Sequence, residues 1–267
     1  FEETTQHIGQ IRIADTDYLA RESVRPLYEN IPDAEAVISA AVTSPGVTGA
    51  YARVQSGVAV SAGEELGDVF GMATGASPEW YQRIELYDKI VDGRVPNAPG
   101  EWLLGSKLAT KADAKVGDEI ILFGQTQDGG LSPARGTLVG IVHAGTALVD
   151  RGVYLPLEEM QNMVDLGPGA IEVLVYTDDL HNAGNIADGI TKRIAGDPAL
   201  ASLSVQAWSS RAPYDAMIPM MGAVQGVLAG ALIFLTSLAI WNTMTMSVME
   251  RTGEIGMMRA MGLSASG

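Results

Sequence analysis

Cysteine is absent from this chain of 267 residues, which removes disulfides, thiolate metal ligands and cysteine nucleophiles from consideration. Histidine is nearly absent. His7, His143 and His181 lie far apart, in no H-E-x-x-H or comparable spacing, so no two imidazoles share a helix face around a metal. Basic residues are also scarce, 17 against 32 acidic ones for a net charge of −15. A protein that grips nucleic acid or anionic lipid headgroups needs the opposite balance, so nucleic acid is not an expected partner. One absence is local: no Asp, Glu, Lys or Arg occurs between Ala216 and Met249, a run of 34 residues.

As one helix that run would be about 51 Å long at roughly 1.5 Å per residue, against a hydrocarbon core of about 30 Å. Its inner part, Val227 to Trp241, is almost wholly apolar. A membrane-crossing helix with an outer stalk is therefore expected over 216–249. Membrane lipid is then a partner by necessity, because backbone groups in lipid must be bonded within the segment. Of the charged residues, 30 of 32 acids and 15 of 17 bases precede residue 216. That large acidic region is expected outside the plasma membrane. Without an initiator methionine at Phe1, and with Gly267 close behind the apolar run, the chain reads as a piece of a longer polypeptide.

The acidic region predicts mixed α and β structure. Strand-like alternation marks 8–15, 36–41, 50–60, 101–105, 119–123, 136–143, 153–155, 171–177 and 203–208. Helical spacing marks the stretch following Asp15 to Asn30, a short segment over 64–75, and 78–91, 106–114, 157–164 and 182–195. Gly129, Gly130 and Pro133 predict a loop between two paired strands. No catalytic constellation is visible. Gly100 and Gly105 have the spacing of a phosphate-binding loop, but Ser106 and Lys107 stand in the reverse of the required order, so a turn from strand to helix is expected there. The acidic pairs resemble solvated faces. No cofactor, metal or catalytic residue is expected.

Within the apolar run, Gly222, Gly226 and Gly230 recur every four residues and lie within about 80° of one another around a helix. Such a stripe lets a second helix approach closely. Asn242 is expected to seek a polar partner on a neighbouring helix. Beyond the run, Arg251 and Glu254 are spaced to pair on a helix, while Ile255 and Met258 offer an apolar contact surface.

The string from Asn242 to Gly262, NTMTMSVMERTGEIGMMRAMG, resembles the signature of the FtsX-like permeases of ABC transporters, E-R-x-x-E-I-x-x-x-R-A-x-G after an asparagine-led helix end. The matching positions are Glu250, Arg251, Glu254, Ile255, Arg259, Ala260 and Gly262; Gly253 departs from it, standing where a basic residue is usual. Upstream, Gly93-Arg94, Gly100-Glu101, Leu104-Gly105, Val116-Gly117-Asp118, Val139-Gly140-Ile141, Asp150 and Val153 resemble, in order, the outer domain of the MacB/LolC/LolE superfamily. The resemblance implies an α+β fold: a MacB-like extracytoplasmic domain over 1–215, in two subdomains, then the transmembrane helix over 216–249 and a cytoplasmic coupling segment over 250–267. It implies a permease subunit without catalysis of its own, paired with an ABC ATPase that grips Glu250, Arg251, Glu254, Ile255, Met258 and Arg259. A second permease copy or paralogue would complete a dimer, acting on a lipoprotein or peptide substrate. The same family also contains regulators of cell-wall hydrolases and peptide sensors. A single-pass anchored binding domain is the reading from outside the family.

Overall fold

The computed structural model describes residues 9–22, 26–62, 69–180, 182–211 and 214–262, and the chain divides into two units, 1–210 and 211–267. In the first unit β1 (Ile11–Asp15) runs directly into α1 (Thr16–Ala20), because the Asp15 carboxylate accepts from the N–H groups of Asp17 and Tyr18. The helix expected to continue to Asn30 ends at Ala20, and residues 23–25 lie outside the described set. Next comes α2 (Ala34–Val42), capped by Asp33, whose carboxylate accepts from Ala36 N–H at 3.0 Å. The strand read over 36–41 is thus a helix. Its alanines favour that state, and Ala34, Val37 and Ala41 are buried at three-and-four spacing.

A long strand, β2 (Val47–Ser61), pairs with β3 (Val69–Ala76). The helix read over 64–75 falls partly outside the described residues, and what is described from Val69 onward is strand. Gly71 and Gly75 make that strand thin on one face: a Cβ at Gly75 would fall 2.1 Å from the Met160 Cβ, and one at Gly71 2.8 Å from Leu108. The segment 78–91, read as one helix, is α3 (Pro78–Arg83), a 3₁₀ turn at Tyr87–Lys89 and β4 (Ile90–Gly93). The break comes at Glu85, whose φ of 55° lies in the left-handed region, and it places Leu86 fully inside the core.

Then follow β5 (Glu101–Gly105), α4 (Ser106–Lys111), β6 (Glu119–Gln125), β7 (Leu131–Val142), α5 (Ala147–Asp150), β8 (Gly152–Pro156), α6 (Leu157–Val164), β9 (Glu172–Thr177), α7 (Ala183–Ile194) and β10 (Leu203–Ala207). Pro133 sits within β7, opposite Phe123 of β6, rather than in a loop. The turn between those strands is only 126–130, closed by the Thr126 and Gly130 backbones at 2.8 Å.

Among the described residues the ten strands belong to one sheet, in the order β10-β1-β9-β2-β3-β8-β5-β7-β4, with β6 bridging β2 and β7. Its first four neighbours are antiparallel, and with α2 and α7 they form a β-α-β-β-α-β unit in spatial order 4-1-3-2. Everything from β3 to α6 is an insertion between the second and third strands of that unit. The expected two subdomains therefore appear as two halves of one sheet, sharing β2: up to Arg53 it pairs with β9, and from Arg53 onward with β3. The α2/α7 half has its own core of Ile11, Ile13, Val37, Val173, Ile186 and Ile190, all buried. On the sheet's other face, Glu172 takes two bonds from Arg53, at 3.0 and 2.7 Å. Arg53 also stacks on Trp80 at 5.4 Å, and Trp80 donates to the Tyr176 hydroxyl at 2.9 Å.

The second unit contains α8 (Tyr214–Ala260), a single helix of 47 residues, about 70 Å long. It is long and apolar enough to cross a membrane.

Candidate functional site

The residues expected to pack against a second helix and to couple to an ATPase all fall on α8. From Asp215 to Gly262 every residue is exposed, including Phe234, Leu235 and Trp241. An apolar surface of that size needs lipid or other helices around it. Five hydroxyl groups of the helix are satisfied internally. Thr236, Ser237, Thr243, Thr245 and Thr252 each donate to the carbonyl four residues back, at 2.6 to 2.9 Å, so none of them needs an outside acceptor. Two amides in the run receive no such bond among the described residues: Asn242, expected to need a partner, and Gln225, which the sequence reading passed over. Gln225 sits between Val224 and Gly226 and carries the same unmet requirement.

Gly222, Gly226 and Gly230 line one stripe of α8, and a Cβ built on any of them meets nothing within 4 Å. Asn242 follows Gly226 by sixteen residues, a rotation of about 160° from it. The glycine stripe and the asparagine therefore face different directions.

The charged end continues the same helix without a break. Glu250, Arg251, Glu254, Ile255, Met258 and Arg259 lie within about half the helix circumference, while Thr252, Gly253, Gly256 and Ala260 occupy the other side. Gly253 and Gly256 remain helical. Arg251 and Glu254 form no ion pair among the described residues, so both charges stay available. The helix ends as its glycine dictates: Gly262 has φ 91°, and its N–H reaches the Arg259 carbonyl at 3.1 Å, a left-handed termination that glycine adopts without penalty.

In the first unit, the turn at Gly105-Ser106 joins β5 to α4 as expected, and a Cβ at Gly105 would lie 2.4 Å from the backbone of Val149 and Asp150. One cluster there was not foreseen. Ser106 Oγ lies 2.9 Å from His143 Nδ1, Asp150 Oδ1 lies 3.4 Å from that same nitrogen, and Lys107 Nζ lies 3.1 Å from Asp150 Oδ2. A nucleophilic relay needs serine and carboxylate on opposite ring nitrogens, which this arrangement lacks. Asp150 is fully buried. Burial alone would raise its pKa, but the Ala144 N–H at 3.0 Å and the neighbouring Lys107 ammonium lower it on balance. The group reads as an ionised anchor for the 143–150 turn. His7 and His181 lie outside the described residues. A set of acidic oxygens at Asp15, Asp17 and Glu29 lies close together, but Asp15 is engaged as a helix cap and Glu29 pairs with Arg21 at 2.8 Å.

Comparison with known proteins gives two family matches. Residues 2–193 match the model of the MacB-like periplasmic core domain, and residues 226–266 that of the FtsX-like permease C-terminal region. Two relatives, from the Temecula1 and 9a5c strains of Xylella fastidiosa, are each named lipoprotein-releasing system transmembrane protein LolC. Each is 28% identical over 246 residues, covering 88% of this chain and 57% of the relative. The chain thus spans little more than half the length of these relatives. Among solved structures, the periplasmic region of MacB from Actinobacillus actinomycetemcomitans aligns with a TM-score of 0.56 at 12% identity, over 82% of this chain and 96% of that one. The extracellular domain of the noncanonic ABC-type transporter YknZ from Gram-positive bacteria gives 0.51 at 15% identity, over 73% and 98%. At such identities the structural likeness speaks for the fold.

Proposed function

The chain belongs to the family defined by the MacB-like periplasmic core domain, within the ABC transporter permeases of the inner membrane, and from that premise we propose that α8 transmits the motion of a partner ATPase to the outer domain. In this reading residues 1–215 lie outside the membrane, 216–249 cross it, and 250–267 form the cytoplasmic coupling segment. ATP binding and hydrolysis belong to the partner. Glu250, Arg251, Glu254 and Arg259 would give polar contacts to its surface, and Ile255 and Met258 an apolar anchor. A second permease copy or paralogue would complete the transporter. Lipoprotein release is the substrate reading that the two relatives favour, since both are named for it.

One observation carries the proposal: the family signature lies on the last turns of a helix that is continuous from Tyr214 to Ala260. Its backbone ladder has one internal gap, at Pro219, which leaves the Asp215 carbonyl without its helical donor. From there to Ala260 the helix is unbroken and would move as a rod, so a push at Ile255 would be carried outward as far as that proline without being absorbed in a flexible joint. No cysteine of this chain competes with one introduced into it. Cysteine placed at Met257 or Met258 in the full-length protein, co-expressed with its ATPase, should cross-link to that subunit with a yield that changes with nucleotide. No cross-link in any nucleotide state would defeat the proposal.

A further inference from the structure

We propose that the groove between α3, the Pro96–Pro99 loop and α6 is a docking site for an extended, proline-containing basic segment of an extracytoplasmic partner protein. The groove encloses about 540 Å³, within the range of about 300–1,000 Å³ that ligand pockets occupy. Tyr81 forms its floor, with its hydroxyl held between the carbonyls of Thr74 at 2.6 Å and Leu155 at 2.8 Å. Pro78, Pro96, Pro99 and Pro156 supply flat apolar walls whose φ angles are fixed.

The loop wall is tied down on both sides. Glu101 pairs with Arg94 and accepts the N–H groups of Asn97 at 2.8 Å and Ala98 at 3.3 Å. Glu159 accepts from Gly100 N–H at 2.6 Å and Trp102 Nε1 at 2.5 Å. The Arg94 hydrogen bond holds the Glu101 carboxyl at about 2, so this tie stays charged at every ordinary pH. A groove ordered before its ligand arrives loses little entropy on binding.

Two features select the occupant. The first is charge: Glu158 and Glu159 line the groove, no lysine, arginine or histidine does, and Glu79 acts on the adjacent Tyr87 hydroxyl. With 30 acids against 15 bases in residues 1–215, both the rim and the long-range field attract a cation and repel a lipid headgroup phosphate. The second is hydrogen bonding. Proline-rich segments in the polyproline II conformation present carbonyl groups and few N–H groups, and they dock in grooves lined by aromatic side chains. The groove offers the matching donors. Burial, then Glu79, pushes the Tyr87 phenol up to about 12, so it keeps its proton to donate. Asn97 accepts from Arg94 through Oδ1 at 3.1 Å, leaving its amide N–H groups available, and Asn162 stands on the facing helix. The inference concerns the first unit alone and holds or fails independently of ATPase coupling by α8.

The test uses full-length protein in phosphatidylcholine nanodiscs and a fluorescein-labelled ten-residue peptide of prolines carrying two arginines, followed by anisotropy. The peptide should bind in the micromolar range, and its counterpart with glutamates in place of the arginines should not. Glu79→Lys with Glu158→Lys should weaken binding by about tenfold or more, as expected for loss of complementary charge. Tyr87→Phe, which keeps the ring, should weaken it by about two- to tenfold through one lost hydrogen bond. Equal binding of both peptides, or affinity unmoved by the double charge reversal, would overturn the proposal. So would a fluorescent fatty acid that occupies the groove in a Tyr87-dependent way, or a dimer of the protein that Tyr87→Phe dissociates.

Discussion

Replacing Gly226 by leucine separates two origins of stability that have opposite signs. Inside an isolated helix glycine is unfavourable by about 0.8–1.0 kcal/mol relative to alanine, and a Cβ at Gly226 meets nothing within 4 Å. Taken alone, α8 should therefore become slightly more stable with alanine or leucine at this position. If the stripe formed with Gly222 and Gly230 seats a second helix, the added side chain pushes the two backbones apart. Overpacking of that kind costs about 1–3 kcal/mol, a weakening of about 5- to 150-fold in the contact. The measurement is the thermal midpoint of the full-length protein in detergent together with its oligomer distribution, and helix content by far-ultraviolet circular dichroism. Expected is a graded loss from Gly226→Ala to Gly226→Leu, with helix content unchanged or raised. The loss appears whether the neighbour comes from the same chain or a second copy. An unchanged or raised midpoint with an unchanged oligomer would show that the stripe faces lipid, and the reasoning would be wrong.

Two further predictions concern the outer domain. Glu172→Gln leaves the Arg53 guanidinium without its carboxylate, so unfolding in urea should show a loss of about 3–5 kcal/mol, most of it recovered when Arg53→Met is combined with Glu172→Met; a single substitution as mild as the double would show that the pair is not what orders β2 against β9. The buried phenols set the alkaline limit. Burial first of all raises the pKa of Tyr81, Tyr154 and Tyr176, the last to about 12. A raised pKa means that their contribution to stability is complete below about pH 10 and is lost as pH climbs toward 12. Absorbance near 295 nm should show these three ionising only as the fold is lost, whereas normal titration near pH 10 in a domain with intact circular dichroism would contradict it.

The parts of the fold legible in the sequence were those whose signals are local. Asn182 to Ala195 was read as a helix, and α7 buries Ile186, Ile190 and Ile194 along one face. Strand 171–177 was equally plain, since β9 is buried at every residue. The misreadings arose where a tertiary contact overrode the local pattern. Ala36 to Ala41 alternates weakly enough to pass for a strand, and what decides for helix is the Asp33 cap and the packing of Val37 against the β1 and β9 core. Val69 to Ala76 is low in bulk because helices α4 and α6 press against its glycines, a reason that appears only once Leu108 and Met160 are in place. The tie between Ser106, His143 and Asp150 joins residues up to 44 positions apart, and no spacing rule reports such a contact.

For α8 the limit is different, because everything it does depends on surfaces supplied by other helices. The glycine stripe and Asn242 are each a hint of close packing, and the helix geometry adds that they cannot describe one contact. A neighbour that nests on Gly226 leaves Asn242, about 160° away, turned from it. If Asn242 lies at the depth of the hydrocarbon, lipid on that second face would strand an amide at a cost of several kcal/mol, and a second neighbour, or a second part of the first, would be needed to reach around to it. On the proposed packing, helix α8 would be held from two sides within the apolar run. A rod held in that way would be guided along its axis and about it, so that in the proposed mechanism a displacement at Ile255 and Met258 would travel outward as motion rather than as tilt lost into the bilayer.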